Sequence, residues 1–142
     1  MDTHIRAMEE RDLPAVSRIY NQSAVATTYS YTLVDTKIAD RLSWWREQMA
    51  DDRPVLIAEV DGVTAGYANY HRFRAGGGYD VTAEVTIWLD TPARGRGVGR
   101  KLMTELIRHA RADHRLHNLL SVVDSDTVSY THLRAHETSL HL

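Results

Sequence analysis

Hydrophobic and polar positions recur along this chain with two periods, and the period sorts it into strands and helices. His4-Ile5-Arg6-Ala7-Met8 alternates over a length that fits a short first strand. Asp12-Leu13-Pro14 supplies an N-cap acid and a proline in the first helical turn. Leu13, Val16, Ile19, Tyr20 and Ala24 then follow at helical spacing and predict a helix over about 13–25. Thr27 to Asp35, rich in Thr, Tyr and Ser, reads as a loop, and Ile38, Leu42, Trp45 and Met49 mark a second helix over about 36–50. After Pro54, the strands Val55 to Val60 and Val63 to about Arg72 flank Asp61-Gly62, a two-residue hairpin signal. Gly76-Gly77-Gly78 breaks the pattern. Val81, Ala83, Val85, Ile87 and Leu89 then alternate with Thr82, Glu84, Thr86 and Trp88, a strand with two distinct faces. Val98, Leu102, Leu106, Ile107 and Ala110 stripe a third helix, and Asn118 to Asp124 is a further strand. The order β-α-α-β-β-β-α-β, with one hairpin and one βαβ crossover, predicts an α+β or α/β fold with a mixed sheet.

Composition narrows the function classes. The 142 residues carry 17 Lys and Arg against 19 Asp and Glu, a formal charge of -2, so a nucleic-acid role needs a local basic patch. Cysteine is absent, which excludes disulfide scaffolds, thiolate zinc sites and cysteine nucleophiles. The histidines show no metal-ligand spacing, and no metal is expected. No apolar run approaches the roughly 20 residues of a membrane span. The polar start MDTHIRAMEERD reads as neither signal nor transit peptide. The expectation is a cytoplasmic chain without membrane or nucleic-acid partners, with a homodimer left open.

The chemistry concentrates after the two-faced strand. Arg94-Gly95-Arg96-Gly97-Val98-Gly99 leads into the third helix, whose first turn leaves backbone N–H groups unpaired at the positive end of the helix dipole. Glycine lets a phosphate approach that backbone, and Arg94, Arg96, Arg100 and Lys101 surround it with cations, so a pyrophosphate suits the place. A tight turn with a solvated basic face is the competing reading. No Gly-Lys-Ser or Gly-Lys-Thr ending makes it a Walker loop, and it follows a hairpin rather than the first strand of a dinucleotide-binding unit.

This arrangement resembles the GNAT superfamily of N-acetyltransferases, whose [Gln/Arg]-x-x-Gly-x-[Gly/Ala] loop the stretch Arg94 to Gly99 fits. Within it, Ile19-Tyr20-Asn21, PVLIAEV before Asp61-Gly62, and Tyr79-Asp80-Val81-Thr82-Ala83-Glu84 are similar to the phosphinothricin N-acetyltransferase group. The likeness runs from residue 4 to about 126. It implies a GNAT-like mixed sheet flanked by helices, with acetyl-CoA as co-substrate and a small-molecule amine as acceptor. Backbone groups of Ile87, Trp88 and Leu89 are then expected to pair with the pantetheine arm, and Gly95 to Arg100 to cradle the diphosphate. An N–H near Trp88 is expected to stabilise the oxyanion. Glu84 is the expected general base, with a structural salt bridge to an arginine as the alternative. Tyr29, Tyr31, Phe73, Arg74 and Tyr79 are acceptor-pocket candidates, Arg74 suiting a carboxylate or phosphinate. Trp44 and Trp45 read as helix packing and His71 as a strand residue. A non-catalytic acetyl-CoA-binding remnant is the alternative function.

The likeness ends near Asp126, where the family continues with an Asn, a helix ending in Gly-Phe and two closing strands. Val128 to Leu142, VSYTHLRAHETSLHL, instead resembles a translated read-through tail. The expectation is therefore an incomplete acetyltransferase domain over 1–127 and a non-native tail over 128–142, or a diverged fourth helix over Val128 to Ser139 that contains Tyr130. Without closing strands, the strand from Asn118 is expected to be an exposed sheet edge, a cause of self-association.

Overall fold

The computed structural model describes residues 2–24, 37–72, 81–120 and 139–141. Its elements run β1 (Thr3–Ala7), α1 (Leu13–Ala24), α2 (Ile38–Ala50), β2 (Val55–Val60), β3 (Val63–Arg72), β4 (Thr82–Leu89), α3 (Val98–Ala112), β5 (Asn118–Leu120) and β6 (Ser139–His141). The strands form one mixed sheet in chain order, antiparallel except for the β4–β5 pair that α3 crosses between. This is the α+β mixed-sheet architecture expected from the pattern, with the helices that the family resemblance implies on its faces.

The sheet is a middle layer. On one face Leu56, Ala58, Ala68, Tyr70, Val85 and Ile87 pack against Val98, Leu102, Leu106 and Ala110 of α3. On the other, Val55, Ile57 and Tyr67 pack against Val16 and Ile19 of α1, flanked by Trp44, Trp45 and Trp88. The alternation of β2 and β4 assigns each side chain to its layer. From Ala65 to Tyr70, β3 is buried on both faces, as a central strand covered by helices must be. Asp61 (φ 51°) and Gly62 (φ 82°) close the β2–β3 hairpin with the two positive φ angles that a type I′ turn demands.

Two local expectations change. Asp12 is not itself the N-cap residue; three residues after the N-cap Glu9, it ends a 3₁₀ turn, Glu10–Asp12, that runs into α1, closes a capping box by accepting the Glu9 N–H at 2.8 Å and takes both arms of the Arg6 guanidinium at 2.7 Å. The expected exposed edge at Asn118 is instead paired along Asn118–Leu120 by β6. Ser139 therefore lies in a strand rather than at the end of a fourth helix, and the segment 121–138, with Tyr130, lies outside the described residues.

Candidate active site

The site begins with the two edges of β4. The Asp90 N–H donates to the Ala65 carbonyl at 2.8 Å, and the register continues with Trp88 opposite Tyr67 and Thr86 opposite Asn69. Hydrogen-bonded positions recur at every second residue of an antiparallel pair. Trp88 and Thr86 therefore spend their backbone groups on β3, while Ile87 and Leu89 turn theirs to the far edge. There β5 pairs with β4 only from Thr82 to Glu84, so no described strand meets Ile87 or Leu89. This corrects the expectation of three consecutive residues: the Trp88 amide is taken by the sheet, and alternate residues face the open edge.

Beyond the open edge the chain turns into α3. A 3₁₀ turn over Thr91–Ala93 leads to Gly95 (φ 76°) and Gly97 (φ 80°), both left-handed with no atom within 4 Å of an added Cβ. Gly97 is the N-cap of α3; it offers no side-chain cap, and no acid stands in the first turn. The first α3 amide bonded back into the turn is that of Lys101, to the Gly97 carbonyl at 3.2 Å. The amides of Val98, Gly99 and Arg100 thus precede the helical ladder, at its positive end. Val98 and Gly99 are buried and contribute backbone only, whereas Arg96, Arg100 and Lys101 are exposed and Arg94 is half-buried. Among the described residues, the unpaired stretch of β4 edge and the uncapped helix start are consecutive in sequence, which suits one ligand that is amide-bearing at one end and anionic at the other.

Glu84 stands on the opposite face from α3, in the row of Thr82, Thr86 and Trp88. Register places it across from His71, whose Nε2 is 3.4 Å from a Glu84 carboxylate oxygen, both side chains partly exposed. Among the described residues its polar neighbour is thus a histidine. His71 also lines a groove of about 360 Å³ with Trp44, Glu47, Gln48, Asp51 and Arg53. Of the acceptor-pocket candidates, Tyr29, Tyr31, Phe73, Arg74 and Tyr79 all lie outside the described residues. No group of three metal-ligating side chains occurs among the described residues.

Sequence reasoning missed a polar cluster on this face. Arg41 of α2 lies over the rings of Tyr20 (4.2 Å) and Trp44 (4.8 Å). Trp44 meets Tyr67 edge-on at 5.8 Å. Tyr67 is fully buried; burial raises its hydroxyl's pKa against the opposing pull of the Arg41 charge, so it stays an O–H donor. A tyrosine and an asparagine two apart in a strand mark one face of the sheet, but their burial follows only from the docking of α1 and α2.

The acetyltransferase (GNAT) family description matches residues 14–136. The chain is 30% identical to the L-amino acid N-acyltransferase MnaT of Escherichia coli over 91% of its own length and 74% of the relative's. It is 34% identical to a Salmonella typhimurium L-methionine sulfoximine/L-methionine sulfone acetyltransferase over 75% of its length and 63% of the relative's. Among solved structures, the Salmonella typhimurium protein yncA with its cofactor acetyl-CoA superposes with a TM-score of 0.89 at 27% identity, covering 95% of this chain and 78% of that one.

Proposed function

The chain belongs to the acetyltransferase (GNAT) family, and on that premise we propose that it moves the acetyl group of acetyl-CoA to the primary amine of a small amino-acid-like substrate of phosphinothricin or methionine-derivative type. The observation that carries this reading is the continuity of the open β4 edge at Ile87 and Leu89 with the uncapped glycine turn into α3. A pantetheine arm is an extended chain with amides that can add to a strand edge, and a diphosphate fits helix-start amides ringed by Arg96, Arg100 and Lys101.

Acetyl-CoA supplies an activated acyl carbon; the chain's own residues supply the rest. An α-amine has a pKa near ~8 and must lose a proton before its lone pair can attack. Glu84, a carboxylate on the acceptor face of β4, takes that proton directly or through water. As the amine nitrogen bonds to the carbonyl carbon, negative charge gathers on the oxygen, where an N–H of the open edge, Ile87 or Leu89, stabilises it. The C–S bond then breaks, the nitrogen gives up its second proton to leave a neutral amide, and a proton returned through water makes the leaving thiolate a thiol. With no cysteine in the chain to carry the acyl group, direct attack is the simplest route. Arg74 is proposed to hold an acidic group of the acceptor.

Calorimetric titration with acetyl-CoA followed by a thiol-release assay against a panel of amines tests this reading. Binding with turnover on amino-acid-like amines is expected. Binding without turnover on any amine leaves a cofactor-binding remnant, and absence of binding overturns the site.

A further inference from the structure

Buried donors without acceptors gather at one place on the acceptor face. Asn69 Nδ2 and Arg41 Nε are buried and lack a hydrogen-bond partner among the described residues, and the buried Tyr67 hydroxyl, which lacks a close one, faces the Arg41 side chain. Tyr67 is 0% exposed and Asn69 2% exposed. Arg41, still partly accessible, is held between the Tyr20 and Trp44 rings, and no described carboxylate pairs with it. Leaving one such donor unpaired costs about 1–3 kcal/mol, and native interiors satisfy nearly all of them. A guanidinium that no described carboxylate balances, an amide nitrogen without a partner, and a hydroxyl left to donate because Arg41 faces its oxygen call for a ligand made of acceptor oxygens.

Their place in the sheet says which ligand. Asn69 is opposite Thr86, and His71 opposite Glu84. Asn69 is therefore the diagonal neighbour of Glu84 on the same face, a separation of about 7–8 Å. An amino-acid-like molecule spans that distance with its amine at Glu84 and an oxygen-bearing group at the cluster. We infer that Arg41, Tyr67 and Asn69 form an acceptor subsite that binds an oxygen-only group of the substrate, a carboxylate or a sulfonyl-type oxo group. The inference rests on the proposed amino-acid-like acceptor and adds the side chains that select it.

Three probes with acetyl-CoA separate the two oxygen groups: L-methionine sulfone, L-methionine, which lacks the sulfonyl oxygens, and 3-(methylsulfonyl)propan-1-amine, which lacks the carboxylate. Tyr67→Phe keeps the ring and removes only the hydroxyl; Arg41→Gln is the second variant. Each is expected to raise KM and the calorimetric Kd for L-methionine sulfone by about tenfold or more, with the KM for acetyl-CoA unmoved. The loss vanishes on L-methionine if the sulfonyl group occupies the cluster, and on the propanamine if the carboxylate does. Equal loss on all three probes, or none, overturns the subsite, as does failure of the wild-type protein to bind any of them. Binding that weakens as expected without acetyl transfer refutes the proposed reaction and leaves the subsite standing.

Discussion

Glu84 owes its proposed role to one property, a carboxylate that accepts a proton from the acceptor face. Glu84→Gln preserves shape and hydrogen bonding but cannot take the proton, so kcat is expected to fall about 100-fold or more with the KM for acetyl-CoA unchanged. A near wild-type rate across pH excludes Glu84 as base. The glycines permit an internally controlled comparison. Gly62 and Gly97 share φ near +80° and open space around an added Cβ, so alanine at either imposes similar left-handed strain, about 1–2 kcal/mol. Only Gly97 precedes the α3 amides. Gly97→Ala is expected to raise the KM for acetyl-CoA several-fold and Gly62→Ala to leave it unchanged, although both lower the denaturation midpoint alike. Equal KM values for the two variants count against the diphosphate cradle. At this scale the sequence makes Glu84 and the glycines legible because strand alternation and loop composition are local signals. It does not make His71 legible as the neighbour of Glu84, because that pairing depends on the register of β3 against β4.

Elements were legible by period where one face is polar, and by turn signals where both faces are covered. β4 and α3 announce themselves by clean periods. β3 is readable as Val63 to about Arg72 mainly from the Asp61-Gly62 hairpin signal before it, since helices on both sides bury Ala65 through Tyr70 and blur the alternation. β6 carries no signal of its own; three residues become a strand only because β5 offers them a partner. Inside β3, Gly66 has a packing role that periodicity cannot show. A Cβ there comes within 2.7 Å of Leu89 Cδ2 and 2.8 Å of the Trp88 carbonyl oxygen. The side chain can move, but the carbonyl belongs to the β4 backbone. Gly66→Ala is thus expected to cost about 1–3 kcal/mol in denaturant unfolding. By pushing β4 at the open-edge residue Leu89, it should also weaken acetyl-CoA binding. A variant with unchanged midpoint and unchanged binding contradicts this contact.

At the scale of the whole molecule, an ionic clasp ties the end of α3 to both β3 and the turn before β2. Arg115 pairs with Asp113 at 2.8 Å and donates to the backbone carbonyls of Asp51 (2.6 Å) and Asp52 (3.1 Å), while the Tyr70 hydroxyl donates to Asp113 at 3.2 Å. The Arg115 side-chain hydrogen bond lowers the pKa of Asp113 to about 2; burial opposes the shift, and the Arg115 backbone N–H and Tyr70 add to it. An aspartate in an unfolded chain titrates near 3.9. Because the folded value is the lower, the unfolded state binds the proton first, and this stabilisation is present above about pH 4 and disappears as pH falls toward 2. Asp113→Asn removes the charge while keeping the size, so the variant should melt below the wild type at pH 7. As pH drops from 4 to 2 the gap between the two melting temperatures should close, while the shared Arg6–Asp12 pair, whose carboxyl is also lowered, affects both proteins alike. A gap that stays constant over that range, measured by thermal unfolding of the two proteins side by side, means that the charge on Asp113 does not hold α3 to the sheet.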